Sequence, residues 1–311
     1  MAPLPDWARA LGAPLIAGRI RETCADFSVV EHLDIELSGD GEHDWLQVRK
    51  TDANTHWVAE QLARCAAIPA RDVGYAGLKD RRAVATQWFS VRRKPGVTPD
   101  WAALAVEGVE ILQVCRHQRK LQRGAHTGNV FRIAVRTDPP LPRDRLADRL
   151  REVAEQGVPN YFGEQRFGRD AANIELGRAV LDGRRVSRHK RGIGISALRS
   201  YEFNNELDAR VRADTWNKLL PGDKANLDGT GSVFAVEEVT KELEQRCSEM
   251  DIHPCGSLPA FESLRVAEAT RALRMRVADL QWQFGEDVLW LDFRLGKGNF
   301  ATAVLREIVS L

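Results

Sequence analysis

Apolar and polar positions in the first half of the chain follow two periods. Residues 27–31 and 45–49 carry β-branched or every-other apolar positions and predict strands, as do residues 88–92 and 109–114. Between residues 54 and 68, Val58, Leu62 and Cys65 fall at i, i+4 and i+7, one face of a helix, with Asp52 and Asn54 as candidate caps. Residues 130–136 alternate cleanly, with Phe131, Ile133 and Val135 on one face and Arg132, Ala134 and Arg136 on the other. That pattern suits an antiparallel sheet covered on one side, with an arginine-bearing face turned outward.

Pro139-Pro140-Leu141-Pro142 interrupts both periods, and a helix follows with Leu146, Leu150 and Val153 on one face. Gly157-Val158-Pro159 ends that helix and is the candidate domain boundary. Beyond it the chain reads as mostly helical, near residues 173–181, 196–212 and 261–274. Strand character returns at residues 288–295, followed by a turn at Gly296-Lys297-Gly298 and a final helix over residues 300–309. The predicted class is α+β.

Composition narrows this further. A chain of 311 residues, 43% hydrophobic and 29% charged, is long enough for two domains and too apolar for long disorder. No apolar run approaches the ~18 residues of a membrane span. Residues 1–7 lack the basic-then-apolar pattern of a secretory signal. Five scattered cysteines (Cys24, Cys65, Cys115, Cys247, Cys255) argue against a disulfide framework or a structural zinc site, and a cytoplasmic protein is expected.

The net charge of +1 hides an uneven distribution. Residues 113–136 hold six cations (Arg116, Arg119, Lys120, Arg123, Arg132, Arg136) and no acid. Residues 183–199 hold six more (Arg184, Arg185, Arg188, Lys190, Arg191, Arg199), again without an acid, while acids collect at 34–44 and 237–251. Such segregation is the footprint of a phosphate-binding face, or alternatively of a merely solvated basic surface.

The densest constellation is Lys79-Asp80-Arg81-Arg82, in a turn between a short strand at Gly74 and the strand that begins before Trp88. Flanking cations favour the ionised form of Asp80, available as nucleophile or base, and could also hold substrate phosphates. The bland alternative is a charged turn with a surface ion pair. Gly192-Ile193-Gly194 and Gly296-Lys297-Gly298 do not continue into a dinucleotide or P-loop pattern, and seven dispersed histidines give no metal-binding spacing.

Four ordered motifs carry a resemblance: Gly77-Leu78-Lys79-Asp80-Arg81 with Gln87-Trp88, the nine residues from Asn160 to Gly168 (NYFGEQRFG), Arg199-Ser200 with Phe203-Asn204, and residues 299–307 (NFATAVLRE). In that order they resemble the TruD family of tRNA pseudouridine synthases, over residues 21–307. The resemblance implies a V-shaped molecule with a discontinuous catalytic domain (residues 1–157 and 277–311) and an inserted α+β domain (residues 158–276). It further implies isomerisation of uridine to pseudouridine at position 13 of tRNA, with Asp80 as the catalytic carboxylate and no metal, nucleotide or redox cofactor. The expected partner is tRNA, bound by a monomer that needs no protein partner and no membrane. Phe27, Asn129 and Phe300 match family motif positions around the flipped uridine, and Arg21 and Lys79 are expected beside it. Arg21 stands where the family can carry lysine, and Ala85 replaces a common threonine. Arg116, Arg119, Lys120, Arg123, Arg184, Arg185, Arg188, Lys190 and Arg191 are the candidate RNA-backbone contacts. A non-catalytic RNA binder and a small-molecule enzyme with incidental basic patches are the competing readings.

Overall fold

The computed structural model describes residues 4–94, 96–227, 231–249 and 252–311, so Asp251 of the second acidic stretch and residues 1–3 of the N-terminus lie outside it. The chain divides into two compact units. One comprises Ala17–Arg143 and Ala278–Gly298; the other Met1–Ile16, Asp144–Val277 and Asn299–Ser310. By contacts, residues 4–16, 144–157 and 299–310 group with the middle segment.

The first unit is built on an eight-stranded sheet in the order Ala278–Phe284, Val288–Gly296, Gly128–Arg136, Phe27–His32, Val84–Arg92, His43–Thr51, Val109–His117, with Gly74–Tyr75 paired to Val84–Arg92. Every strand expected in this region is present. The pairing is antiparallel except between Phe27–His32 and Val84–Arg92. A parallel pair needs a long crossover, and here it contains the His43–Thr51 strand and the helix Thr55–Cys65. That helix buries Val58, Ala59 and Leu62 against Leu46, Val48, Phe89 and Val91 of the sheet. Val58 and Leu62 each contribute about 1.5–3 kcal/mol on burial. Asn54 is its N-cap residue but makes no side-chain capping bond, and Asp52 pairs with Arg81 instead of capping.

The outward arginine face is only partly realised. Arg132 is exposed, above Trp290 at 4.9 Å and 3.9 Å from Asp292, whereas Arg136 is held at 2.8 Å by buried Asp26, whose carboxyl that arginine pulls below its usual range. Ala134 is fully buried.

The second unit packs the helices Ala172–Leu181 and Arg188–Arg212 around a core that includes Trp7, Phe162, Phe167 and Phe203. The helix Arg143–Gln156 buries Leu146, Leu150 and Val153 as their spacing predicts. Gly177 and Gly194 sit where Ala172–Leu181 and Arg188–Arg212 cross. A Cβ on Gly177 would lie 2.4 Å from the Gly194 carbonyl oxygen, so Gly194 serves close packing rather than phosphate binding.

Two helix expectations are corrected here. Residues 261–274 form a short 3-10 turn and the strands Ala269–Ala272 and Arg274–Met275, because Cys255 to Leu258 pair with Ala269 to Ala272. Strand pairing overrides a helix-forming composition in this stretch, and Arg265 at φ +55° ends the turn. The last helix is shorter, Ala301–Arg306, and the chain returns to strand at Val309–Ser310. Among the described residues no helix is long and apolar enough to cross a membrane.

Candidate active site

The residues around Asp80 form an irregular loop, 76–83, between Gly74–Tyr75 and Val84–Arg92. Its backbone is pinned by side chains of neighbouring elements. Lys79 N donates to Thr55 Oγ1 (3.1 Å), Gln87 Nε2 donates to Gly77 O (3.1 Å), and Thr55 Oγ1 donates to Gln87 Oε1 (2.9 Å). Lys50, wholly buried, donates from Nζ to Ala53 O (2.6 Å) and Asp80 O (2.7 Å). Burial pushes its ammonium down to about 8, offset in part by the Asp80 carboxylate.

The Asp80 side chain stays 44% exposed, with one oxygen bonded to the Arg21 guanidinium. The Arg21 guanidinium lies over Phe27, 4.0 Å from the ring centroid, in the geometry of a cation–π contact. Phe27 is buried, edge-on to Phe131, which in turn stacks on Phe293 at 5.5 Å. The Arg136–Asp26 pair ties down the short turn before Phe27. Arg21 has φ +60°, a left-handed conformation that a non-glycine residue adopts at a cost.

The three cations beside Asp80 in sequence face elsewhere. Lys79 Nζ is 2.7 Å from Glu31 Oε2 in a pair with side chains 6% and 0% exposed. Arg81 pairs with Asp52 at 3.2 Å, and Arg82 donates to Glu22 O at 3.0 Å. Glu31 also accepts from Trp88 N (3.2 Å) and lies opposite Asn129 in the sheet. Asn129 Oδ1 is shielded from solvent and has no hydrogen-bond partner among the described residues, and His126 Nδ1 is in the same condition. Burial lowers the His126 pKa below the usual histidine range. Phe27, Asp80, Arg21, Lys79 and Asn129 therefore share one unit and one part of its sheet.

Phe300 belongs to the other unit, 6.1 Å from Phe162. Arg271 lies above Phe162 at 4.2 Å and 5.8 Å from the Phe300 centroid, and burial, reinforced by Arg166, lowers it to about 9. Asn204 clamps Phe162 by donating to its carbonyl (3.0 Å) and accepting from its amide (2.9 Å). That clamp joins the second and third sequence motifs physically.

The two basic runs differ. Arg116 is 3.7 Å from Asp44, with which it is in register, and also donates to Gly41 O. Lys120 donates to Arg71 O (2.9 Å) and Arg123 to the Tyr75 hydroxyl (3.0 Å), while Arg119 is exposed. Asp44, one of the acids at 34–44, thus neutralises Arg116 at the start of the run. Arg184, Arg185, Arg188, Lys190 and Arg191 are exposed, before and within the first turn of Arg188–Arg212. Among the described residues the first four enter no ion pair, and Arg191 donates to Leu264 O (2.9 Å).

Lys50, Thr55, Gln87 and Glu31 escape a reading that looks for charge clusters. The available signal is phase: Lys50 falls on the inward side of a strand whose neighbours Leu46 and Val48 are core.

Residues 9–187 match the family model described as tRNA pseudouridine synthase D (TruD). Curated relatives named tRNA pseudouridine synthase D include one from Nitrosococcus oceani, 41% identical over 95% of this chain and 91% of its own. Another from Methylococcus capsulatus is 41% identical over 98% and 94%. A crystal structure described as a TruD candidate of Methanosarcina mazei has TM-score 0.73, covers 99% of this chain and 95% of its own, and is 20% identical, a likeness of fold. With its loop, strands and ordered motifs all accounted for, the chain belongs to the tRNA pseudouridine synthase D family.

Proposed function

We propose that this protein isomerises uridine to pseudouridine in tRNA, at position 13, with Asp80 as the catalytic carboxylate. The observation that carries the reading is the half-exposed Asp80 carboxylate, held by an arginine that is itself fixed over a buried phenyl ring. Isomerisation breaks the C1′–N1 bond, turns the uracil, and joins C5 to C1′; C5 loses a proton and N1 gains one. A carboxylate at the sugar serves either by attacking C1′ or by taking the C2′ proton. A nucleotide within folded tRNA must be flipped out to reach it.

In this reading Phe27 is an apolar wall for the flipped nucleotide, and the idle Asn129 Oδ1 is an acceptor for the uracil N3–H. Arg21 orients Asp80, and Lys79 supports the pocket through Glu31. Residues 1–157 and 277–311 form the catalytic domain and 158–276 the insertion. Both basic runs (Arg116, Arg119, Lys120, Arg123; Arg184, Arg185, Arg188, Lys190, Arg191) track the RNA backbone. The protein acts as a cytoplasmic monomer.

The test is pseudouridine mapping on unmodified tRNA incubated with wild-type protein and with Asp80→Asn. A single new pseudouridine in the D stem, reduced at least ~10³-fold in rate by the variant, is expected. Undiminished activity of the variant would overturn the role of Asp80. Salt-sensitive tRNA binding with no pseudouridine would favour a non-catalytic RNA binder.

A further inference from the structure

Lys50 is a fully buried cation that enters no ion pair among the described residues. Charges in that position are expensive unless something specific compensates them. Here the compensation is a cage of main-chain oxygens: Ala53 O at 2.6 Å, Asp80 O at 2.7 Å and Lys79 O at 3.5 Å. The groups acting on the ammonium are Asp80 and Lys79 of the loop, Cys24 of the turn before Phe27, and Asp52 at the strand end.

The placement of the cage is informative. Residues 76–83 have no helix or strand of their own; main-chain bonds hold their two ends, Gly124 N to Ala76 O (2.7 Å) and Asp52 N to Ala83 O (3.3 Å), and side chains from outside hold the stretch between. Thr55 holds the amide of Lys79 and Gln87 the carbonyl of Gly77, both before Asp80. Lys50 is the side chain that reaches the main chain of Asp80 itself. It ties that carbonyl to Ala53, the residue that leads into the helix Thr55–Cys65. Arg21 then holds the side chain.

We infer that Lys50 is a positioning residue for the reaction: it fixes the backbone of Asp80 so that the carboxylate meets the sugar in a reactive geometry. This rests on the assignment of Asp80 as the catalytic carboxylate. Lys50 touches neither substrate nor reacting atoms, so its loss is felt in turnover and not in tRNA affinity. A misplacement of about 1 Å costs roughly 100-fold in rate.

The experiment compares Lys50→Met, Lys50→Arg and Asp80→Asn with wild type in single-turnover kinetics, tRNA binding and thermal unfolding. Lys50→Met, which keeps length and loses the donors, is expected to fold, to bind tRNA within about threefold of wild type, and to turn over ~100-fold more slowly. Lys50→Arg, which keeps charge and donors, is expected to recover at least about tenfold of that loss. A folded Lys50→Met with turnover within threefold of wild type overturns the inference. So does a parallel loss of turnover and affinity, which marks a general defect in folding. If Lys50→Met is insoluble, Lys50→Gln is judged by the same criteria; if no neutral variant folds, Lys50 is a fold determinant only and the inference fails. Full activity of Asp80→Asn would instead remove the premise, and is read separately from any Lys50 variant.

Discussion

The loop at 79–82 and the stretch at 184–191 look alike as sequence, since both are short and crowded with lysine and arginine. In the structure they behave in opposite ways. Every cation of the loop is committed internally: Lys79 to Glu31, Arg81 to Asp52, Arg82 to the Glu22 carbonyl. Before and at the start of Arg188–Arg212, four cations face solvent and enter no ion pair among the described residues. Charge already matched by the fold builds geometry, while unmatched charge is available to phosphates. Density of charge in a sequence does not separate the two roles.

Breaking a committed pair should have the largest effect. Lys79→Met leaves Glu31 buried without its partner and is expected to cost about 3–5 kcal/mol, measured by denaturant unfolding. A loss under ~1 kcal/mol would mean the pair is no stronger than a surface contact. Replacing Arg184, Arg185, Arg188 and Lys190 together by glutamine should leave folding nearly unchanged. It should weaken tRNA binding about 100-fold and lower the slope of log affinity against log salt by about 1 per lost phosphate contact. An unchanged slope would place the RNA elsewhere.

Two uncharged changes in the same helix sharpen the contrast by altering the support of the stretch and not its charge. Gly194→Ala drives a methyl to 2.7 Å from the Gly177 amide nitrogen and should cost about 1–3 kcal/mol. Gly192→Ala meets open space and should raise stability by about 0.5–1 kcal/mol. Thermal unfolding of both variants checks the sign.

The sequence was most informative where periodicity and packing agree. The strand through Phe131, Ile133 and Val135 and the helix through Leu146, Leu150 and Val153 are of this kind. It misled at residues 261–274, where helix-forming residues are recruited by a neighbouring strand, a tertiary preference that no local window contains. Around the site, Asp80 stood out because acids are rare within basic runs. Its actual ion-pair partner, Arg21, is 59 positions away, and the inward lysine beneath it is marked only by strand phase. The basic run at 113–123 looked acid-free because its neutralising acid, Asp44, arrives by strand pairing.

Neither compact unit is a continuous stretch of chain, and this governs when each can form. The unit containing Phe162 draws on residues 1–16, 144–277 and 299–310. Its last segment supplies Glu307, which accepts from the Leu11 amide at 3.0 Å and whose carbonyl receives Arg149 at 2.7 Å. The sheet unit likewise waits for Val288–Gly296 to pair with Gly128–Arg136. During synthesis, both units stay incomplete until residues 278–310 have been made. Closure of such distant segments is entropically slow. Removing residues 299–310 would therefore strip the Glu307 acceptors from the Leu11 amide and from Arg149, undoing contacts made 296 and 158 positions earlier in the chain.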